Sequence, residues 1–127
     1  MKIPKISESE WEVMKLLWNS NPLTSDEIIN ELSGKKDWSK QTIKTFITRL
    51  NKKGAIYYER VGRSYEYYPT FSEKECRKEE NKSFLKRVYD GSLKILFANF
   101  IEEEKMTLKD IEELEKLLKD KKKSNKI

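Results

Sequence analysis

The sequence predicts a mainly α-helical chain with one small β-hairpin, divided into an N-terminal lobe and a helical C-terminal lobe. Three observations predict it. Three short stretches near the N-terminus each open on Ser or Thr and carry apolar residues at helical spacing. Two runs of β-branched and aromatic residues follow at once, joined by Gly62-Arg63-Ser64. Beyond Pro69 the apolar pattern returns to a helical period.

Ser7 opens the first helix, with Glu10 three residues on to complete a capping box and Ile6 placed to pack on Trp11. Trp11, Met14, Leu17 and Trp18 form its buried stripe, with Val13 beside it, and the Asn19 to Pro22 segment ends it. Thr24 and Glu27 open the second helix, and Leu23 is placed to pack on Ile28. Ile28, Ile29 and Leu32 face inward, and Ser33-Gly34-Lys35-Lys36 reads as a turn. Ser39 caps the third helix, Trp38 is placed to pack on Ile43, and Gly54 stops the helix. Ala55 to Val61 and Tyr65 to Tyr68 are then the arms of a hairpin. A hairpin placed directly after the last of three such helices makes a winged helix-turn-helix.

The third helix carries the functional signal. Ile43, Phe46, Ile47 and Leu50 line its inner face. Gln41, Lys44, Thr45, Thr48 and Lys52 lie opposite, with Thr42 and Arg49 on the flank. No Asp or Glu occurs between Asp37 and Glu59. An ordinary solvated helix mixes both signs of charge, so a face without acids points to a polyanionic partner. Gln, Thr, Lys and Arg are also side chains that reach base edges and phosphates in a DNA groove. Arg60 and Arg63 lie at or near the hairpin tip, where a wing meets the phosphate backbone. The candidate DNA-binding set is therefore Ser39, Gln41, Thr42, Lys44, Thr45, Thr48, Arg49, Arg60 and Arg63. The hairpin tyrosines read as packing for the hairpin itself, since alternate positions must cover the helices.

Composition excludes several alternatives. The 127 residues carry a net charge of +5, which suits a nucleic-acid partner. There is no His and a single Cys, Cys76, so neither an imidazole nor a thiolate metal site is expected, and no disulfide can close within the chain. Ser–His and Cys–His nucleophile pairs are excluded on the same ground. The acidic pair Glu79-Glu80 sits in charge-mixed helical sequence and reads as solvated surface. No enzyme activity and no cofactor are expected. With no apolar leader and no stretch apolar enough to span a bilayer, the expectation is a cytoplasmic protein without membrane insertion.

Ser72 with Glu75 opens a long helix, charged at first and then apolar at Phe84, Leu85, Val88 and Tyr89, until Gly91 breaks it. Leu93, Ile95, Leu96, Phe97, Phe100 and Ile101 follow over a wide arc, with Asn99 beside Phe100. Glu102 to Lys105 is a polar connector. Thr107 with Asp110 opens the last helix, with Met106 placed to pack on Ile111, and its stripe is Ile111, Leu114, Leu117 and Leu118. From Lys119 onward the chain reads as a basic, frayed tail. Helices this apolar, with no globular partner of their own, predict self-association rather than folding back on the first lobe. The expected dimerisation residues are Phe84, Leu85, Val88, Leu96, Phe97, Ile111, Leu114, Leu117 and Leu118. The organisation is then a winged-helix DNA-binding domain at 1–70, a helical dimerisation domain at 71–123 and a tail at 124–127.

SESEWEVMKLLW, KDWSKQTIKTFITRLNKKG, the hairpin ending YEYYP and RVYDG…NFIEEE…IEELEKLL together resemble the penicillinase repressor family, regulators of β-lactamase and methicillin-resistance operons. The resemblance covers nearly the whole chain. It implies a homodimeric winged-helix repressor bound to a dyad-symmetric double-stranded operator. It also implies inactivation by a membrane-bound zinc metalloprotease sensor, and Asn99-Phe100 before Glu102-Glu103-Glu104 matches the family's cleavage site. Family members often carry a basic residue at the position of Gln41 and Arg at that of Lys44. Lys cannot make the planar fork of Arg to guanine, so the preferred operator differs accordingly. A copper-responsive branch carries a cysteine pair near its C-terminus that this chain lacks. Two other readings compete: a winged-helix repressor of another stress or efflux operon released by a small ligand, and an interaction module whose basic face binds an acidic protein.

Overall fold

A computed structural model describes residues 2–103 and 105–125. Among them the order is α1 (Glu8–Asn19), β1 (Leu23–Thr24), α2 (Ser25–Lys35), α3 (Lys40–Lys52), β2 (Ile56–Val61), β3 (Ser64–Pro69), α4 (Glu73–Tyr89), α5 (Leu93–Glu103) and α6 (Leu108–Ser124). The chain divides into two compact units, residues 1–83 and 84–127, with the boundary inside α4.

Local chemistry sets the helix starts. Ser7, Thr24 and Thr107 each accept a hydrogen bond from the backbone N–H three residues on, and the carboxylates of Glu10, Glu27 and Asp110 each accept one from the backbone N–H of the cap residue. Ser72 and Glu75 exchange the same pair of bonds ahead of α4. These satisfy amide groups that a helix start otherwise leaves to water. The helix ends are equally local. The α3 helix stops where Gly54 takes φ +80°, and α4 stops at Asp90 and Gly91, both at positive φ. The Ser92 N–H then donates to the Tyr89 carbonyl, and its Oγ accepts from the Ile95 N–H and opens α5.

The core of the first unit is the expected one. Val13, Met14 and Leu17 of α1, Ile28, Ile29 and Leu32 of α2, and Ile43, Phe46, Ile47 and Leu50 of α3 are buried together. Trp11 and Trp18 are half-buried at its border, edge to face at 5.3 Å, rather than inside it. Trp38 likewise packs edge-on against Phe46, at 5.1 Å. Phe71 and Cys76 also fill this core, so the compact unit continues past residue 70 into α4. Burial, reinforced by the charge of Glu75, raises the Cys76 thiol pKa; the thiol sits there as a small apolar group.

Several elements differ from the sequence reading. The α2 helix continues through Gly34 to Lys35, where a turn was expected, and the Ser33 hydroxyl is spent on the Ile29 carbonyl within the helix. A short strand, β1, pairs antiparallel with β3 through Leu23↔Tyr67 and Thr24↔Glu66, giving a three-stranded sheet of order β1-β3-β2. Two residues carry too little pattern to be read as a strand alone. Pro69 belongs to β3, opposite Ile56. The α6 helix continues through Ser124, well past the Lys119 at which fraying was expected. Glu104 of the acidic connector lies outside the described residues, and Glu102 and Glu103 belong to α5.

One contact was not visible in the capping pattern. Glu10 is only 2% exposed. Its Oε1 accepts from Lys53 Nζ at 2.7 Å and from the Ser7 N–H at 2.9 Å, while Lys53 also donates to the Lys5 carbonyl at 2.9 Å. Burial pushes the Glu10 carboxyl up, but the bonds from Lys53 and Ser7 outweigh it and hold its pKa below 4.5. A depressed carboxylate contributes stability in full above the unfolded value and loses it as pH falls through the folded one. Glu10→Gln should therefore cost about 1–3 kcal/mol near neutral pH. The deficit should shrink as pH drops below the unfolded value of 4.5. Urea unfolding of both proteins from acid to neutral pH checks this; a deficit constant across that range would refute it.

Candidate nucleic-acid interface

The α3 helix presents two different surfaces. Inward, Ile43, Phe46, Ile47 and Leu50 lock it against α1 and α2. Outward, Gln41, Lys44, Thr48 and Arg49 are exposed, with Thr42 and Thr45 half-buried along the flank. Threonine is a poor helix former because its hydroxyl competes for backbone partners. Here the competition is settled inside the helix: Thr45 donates to the Gln41 carbonyl at 3.0 Å and Thr48 to the Lys44 carbonyl at 2.9 Å. Both oxygens keep acceptor capacity, and the helix remains regular.

Ser39 has a structural role within the candidate set. Its Oγ accepts from the Thr42 N–H at 3.1 Å and lies 2.9 Å from the Thr42 hydroxyl, so it fixes the first turn, where Gln41 and Thr42 sit. Lys40, exposed in the same turn, was passed over by periodicity because it lies beside the cap. Among the described residues, ion pairs engage Lys15, Lys35, Lys36, Lys53 and Arg77, and none engages Lys40, Lys44, Arg49, Arg60 or Arg63. The cations of α3 and the hairpin are thus available to an external anion.

The wing is anchored at its base by the Thr70 N–H donating to the Ala55 carbonyl at 2.9 Å. Gly62 and Arg63 form the two-residue turn, with Val61 opposite Ser64. Gly62 has φ +63°, as the first position of a type II′ hairpin turn requires. Arg63 is exposed in that turn, while Arg60 sits one step back and donates from Nε to the Gly62 carbonyl at 3.1 Å. The tyrosines are not the packed hairpin core that was expected. Tyr67 packs against the core, but Tyr57, Tyr58 and Tyr65 remain exposed: Tyr57 stacks on Tyr68, and Tyr58 lies against Tyr65 and Tyr67. The hairpin projects beyond the helices, which therefore cover only its base.

The family model of the penicillinase repressor matches residues 6–120. The chain belongs to this family. The penicillinase repressor of Bacillus licheniformis is 39% identical over 119 residues, spanning 94% of this chain and 93% of that protein. The methicillin resistance regulatory protein MecI of Staphylococcus aureus (strain N315) is 38% identical over 117 residues, spanning 92% and 95%. The solution structure of the DNA-binding domain of the repressor BlaI superposes with a TM-score of 0.54 at 43% identity, covering 58% of this chain and 90% of that one. Monomeric Bacillus licheniformis BlaI in complex with the blaP half-operator superposes with a TM-score of 0.53, at the same identity and coverage. The family is one of transcriptional repressors, and the winged helix-turn-helix read from the sequence is the fold these domains share.

No helix among the described residues is long and apolar enough to cross a membrane. A cavity of about 480 Å³ lies within the first unit, against Ile3, Trp11 and Cys76. Its rim mixes Lys2 and Lys5 with Glu79 and Glu80, which favours no single ligand charge.

The Ser39 geometry gives a direct test. Ser39→Ala should lower stability by about 1 kcal/mol, the usual value of an N-cap. Replacement by Asp should retain most of it. Equal stability of the wild type and Ser39→Ala in urea would show that the cap contributes nothing.

Proposed function

We propose that this protein is a homodimeric repressor of β-lactam-resistance genes, acting in the cytoplasm. It binds a dyad-symmetric operator and is inactivated by proteolysis. The observation that carries the DNA-binding part is the exposed, acid-free face of α3, on a domain 43% identical to one solved with a half-operator. In this reading α3 enters the major groove, Gln41, Lys44, Thr45 and Thr48 face base edges, and Arg49, Arg60 and Arg63 meet phosphates.

Dimerisation is supported by what the second unit leaves uncovered. No residue of α5 or α6 is buried. Phe97, Phe100, Ile111 and Leu114 stay 40–50% exposed, and Leu117 and Leu118 more so. Val88 is half-exposed, and Phe84, Leu85 and Leu96 are partly so. Burying one such side chain is worth about 1.5–3 kcal/mol, so a second copy that covers several gains a stable interface.

Release follows from the same residues. Asn99-Phe100 lies within α5 (Leu93–Glu103), and Phe100 is half-exposed. A cut there by a membrane-bound zinc metalloprotease sensor detaches Phe100, Ile101 and the whole α6 stripe. The remaining half-site contacts cannot compete with genomic DNA. A protease requires extended backbone, so α5 must open locally first.

Titration with an operator-like duplex and a scrambled duplex of equal length tests the core of the reading; the two should separate by about 10³-fold or more at physiological salt. Lys44→Ala should reduce that discrimination by about 1–3 kcal/mol. Arg63→Ala should weaken both duplexes alike and flatten the salt dependence by about 0.9 log units per decade. Uniform loss on both duplexes for every α3 substitution would overturn the assignment of α3.

Mass spectrometry of the protein from β-lactam-induced cells tests release. The expected product ends at Asn99 and sediments more slowly than the intact dimer, and Phe100→Ala should block both the cut and derepression. Derepression with an intact chain would refute proteolytic release.

A further inference from the structure

The wing has two chemically different faces. Strand alternation and the β2–β3 register place Ile56, Tyr58 and Arg60 with Tyr65, Tyr67 and Pro69 on one face. Tyr57, Glu59 and Val61 share the other with Ser64, Glu66 and Tyr68. The first face turns toward the helices, since Ile56 is buried and Tyr67 packs on the core. The second is partly open: Tyr57 is 45% and Val61 53% exposed and Glu59 is exposed, while Glu66 and Tyr68 are half-buried. On that outer face the rings of Tyr57 and Tyr68 stack, 5.2 Å apart and 13° from parallel. Beside them Glu59 stands directly opposite Glu66. Like charges directly opposite one another destabilise a strand pair. Among the described residues no ion pair relieves either carboxylate.

This surface has the wrong sign for phosphate and the right chemistry for ammonium groups. Aromatic faces attract a cation through their quadrupole, and two carboxylates beside them neutralise it. The chain carries a matching group at the end of α6, where Lys119, Lys121, Lys122 and Lys123 are exposed. None of these lysines is in an ion pair among the described residues. The apolar stripe of α6 ends at Leu118, so the lysines lie beyond the surface that dimerisation uses.

We propose that the outer wing face, built from Tyr57, Glu59, Glu66 and Tyr68, docks the lysine-rich end of α6 from a copy in a neighbouring dimer. The face flanks the DNA-contacting tip, so the contact forms where two dimers lie side by side on one duplex. It makes occupation of adjacent sites cooperative. The inference rests on the dimeric-repressor reading above.

The test uses the full chain on duplexes bearing one operator or two, with the spacing varied in steps of a helical turn, about 10 base pairs. At one spacing or more, the second dimer should bind about tenfold tighter than the first, the size a few exposed ion pairs supply together, and salt should weaken the effect. Glu59→Gln with Glu66→Gln should abolish this cooperativity while leaving single-operator affinity equal or better. Glu59→Lys with Glu66→Lys should abolish it too, and adding Lys121→Glu with Lys122→Glu to the same chain should restore it. In a mixture of preformed light and isotopically heavy dimers, a zero-length carbodiimide cross-link should join Glu59 or Glu66 of one label to a lysine of the α6 end of the other. Independent binding at every spacing, equal tightening of both duplexes by the Gln pair, failure of the charge reversal to rescue, or cross-links confined to like-labelled chains would each overturn the proposal. Loss of specific binding to the single-operator duplex would instead overturn the repressor reading itself.

Discussion

The buried carboxylate of Glu10 holds the first unit in register. It closes the first turn of α1, receives the ammonium of Lys53 at the end of α3, and through Lys53 reaches the Lys5 carbonyl of the N-terminal arm. A charge taken out of water is costly unless its hydrogen-bonding capacity is met, and here two donors meet it on one oxygen. Gly54 turns the chain out of α3 immediately after Lys53, and Ala55 and Ile56 then enter the core at the foot of the wing. The anchor of α1 therefore also positions the end of α3 and the start of the hairpin. Removing the ion pair would leave the apolar stripes intact but loosen the place where helix and wing meet.

The parts of this architecture that were legible in the sequence share a local cause. Capping boxes join residues three apart, and an amphipathic stripe repeats within one helix, so Ser7 with Glu10 or Ile43 with Leu50 can be read without knowing the fold. What escaped depends on residues far apart. Glu10 and Lys53 are separated by the whole helix-turn-helix, and the same Glu10 satisfies a capping pattern that already explains it. Pairing of Leu23 with Tyr67 needs the hairpin in place before β1 has a partner. The end of α2 was misread because Gly34 and Ser33 are turn residues by habit, yet Ser33 spends its hydroxyl on its own helix.

The candidate interface was legible for a different reason. Its signal is an absence, the missing acids between Asp37 and Glu59, and the absence of one charge over a whole face is visible in the sequence itself. In the structure the labour is divided. Ser39 builds the first turn of α3, Thr45 and Thr48 reconcile themselves to the helix through their own backbone, and Gln41, Lys44 and Arg49 are left facing outward. The tyrosines show the limit of an alternation rule. Alternation correctly assigns them to faces, but it does not say how far a hairpin extends beyond the body that could cover it.

The two units meet opposite physical demands. The first buries its apolar stripes internally and spends its surface on charge, as a domain that approaches a polyanion must. The second does the reverse: its helices expose Phe97, Phe100, Ile111, Leu114 and Leu118, and none of its described residues encloses them. A unit of that kind has little core of its own, so its order depends on what covers it. In the proposed repressor that dependence links assembly to release. The residues that require a second copy lie on both sides of Asn99-Phe100, so one broken peptide bond divides the surface on which the assembly rests. The DNA-binding unit, with its separate core, survives the break as a folded half-site binder. Repression then ends through lost avidity rather than through damage to the face that contacts DNA.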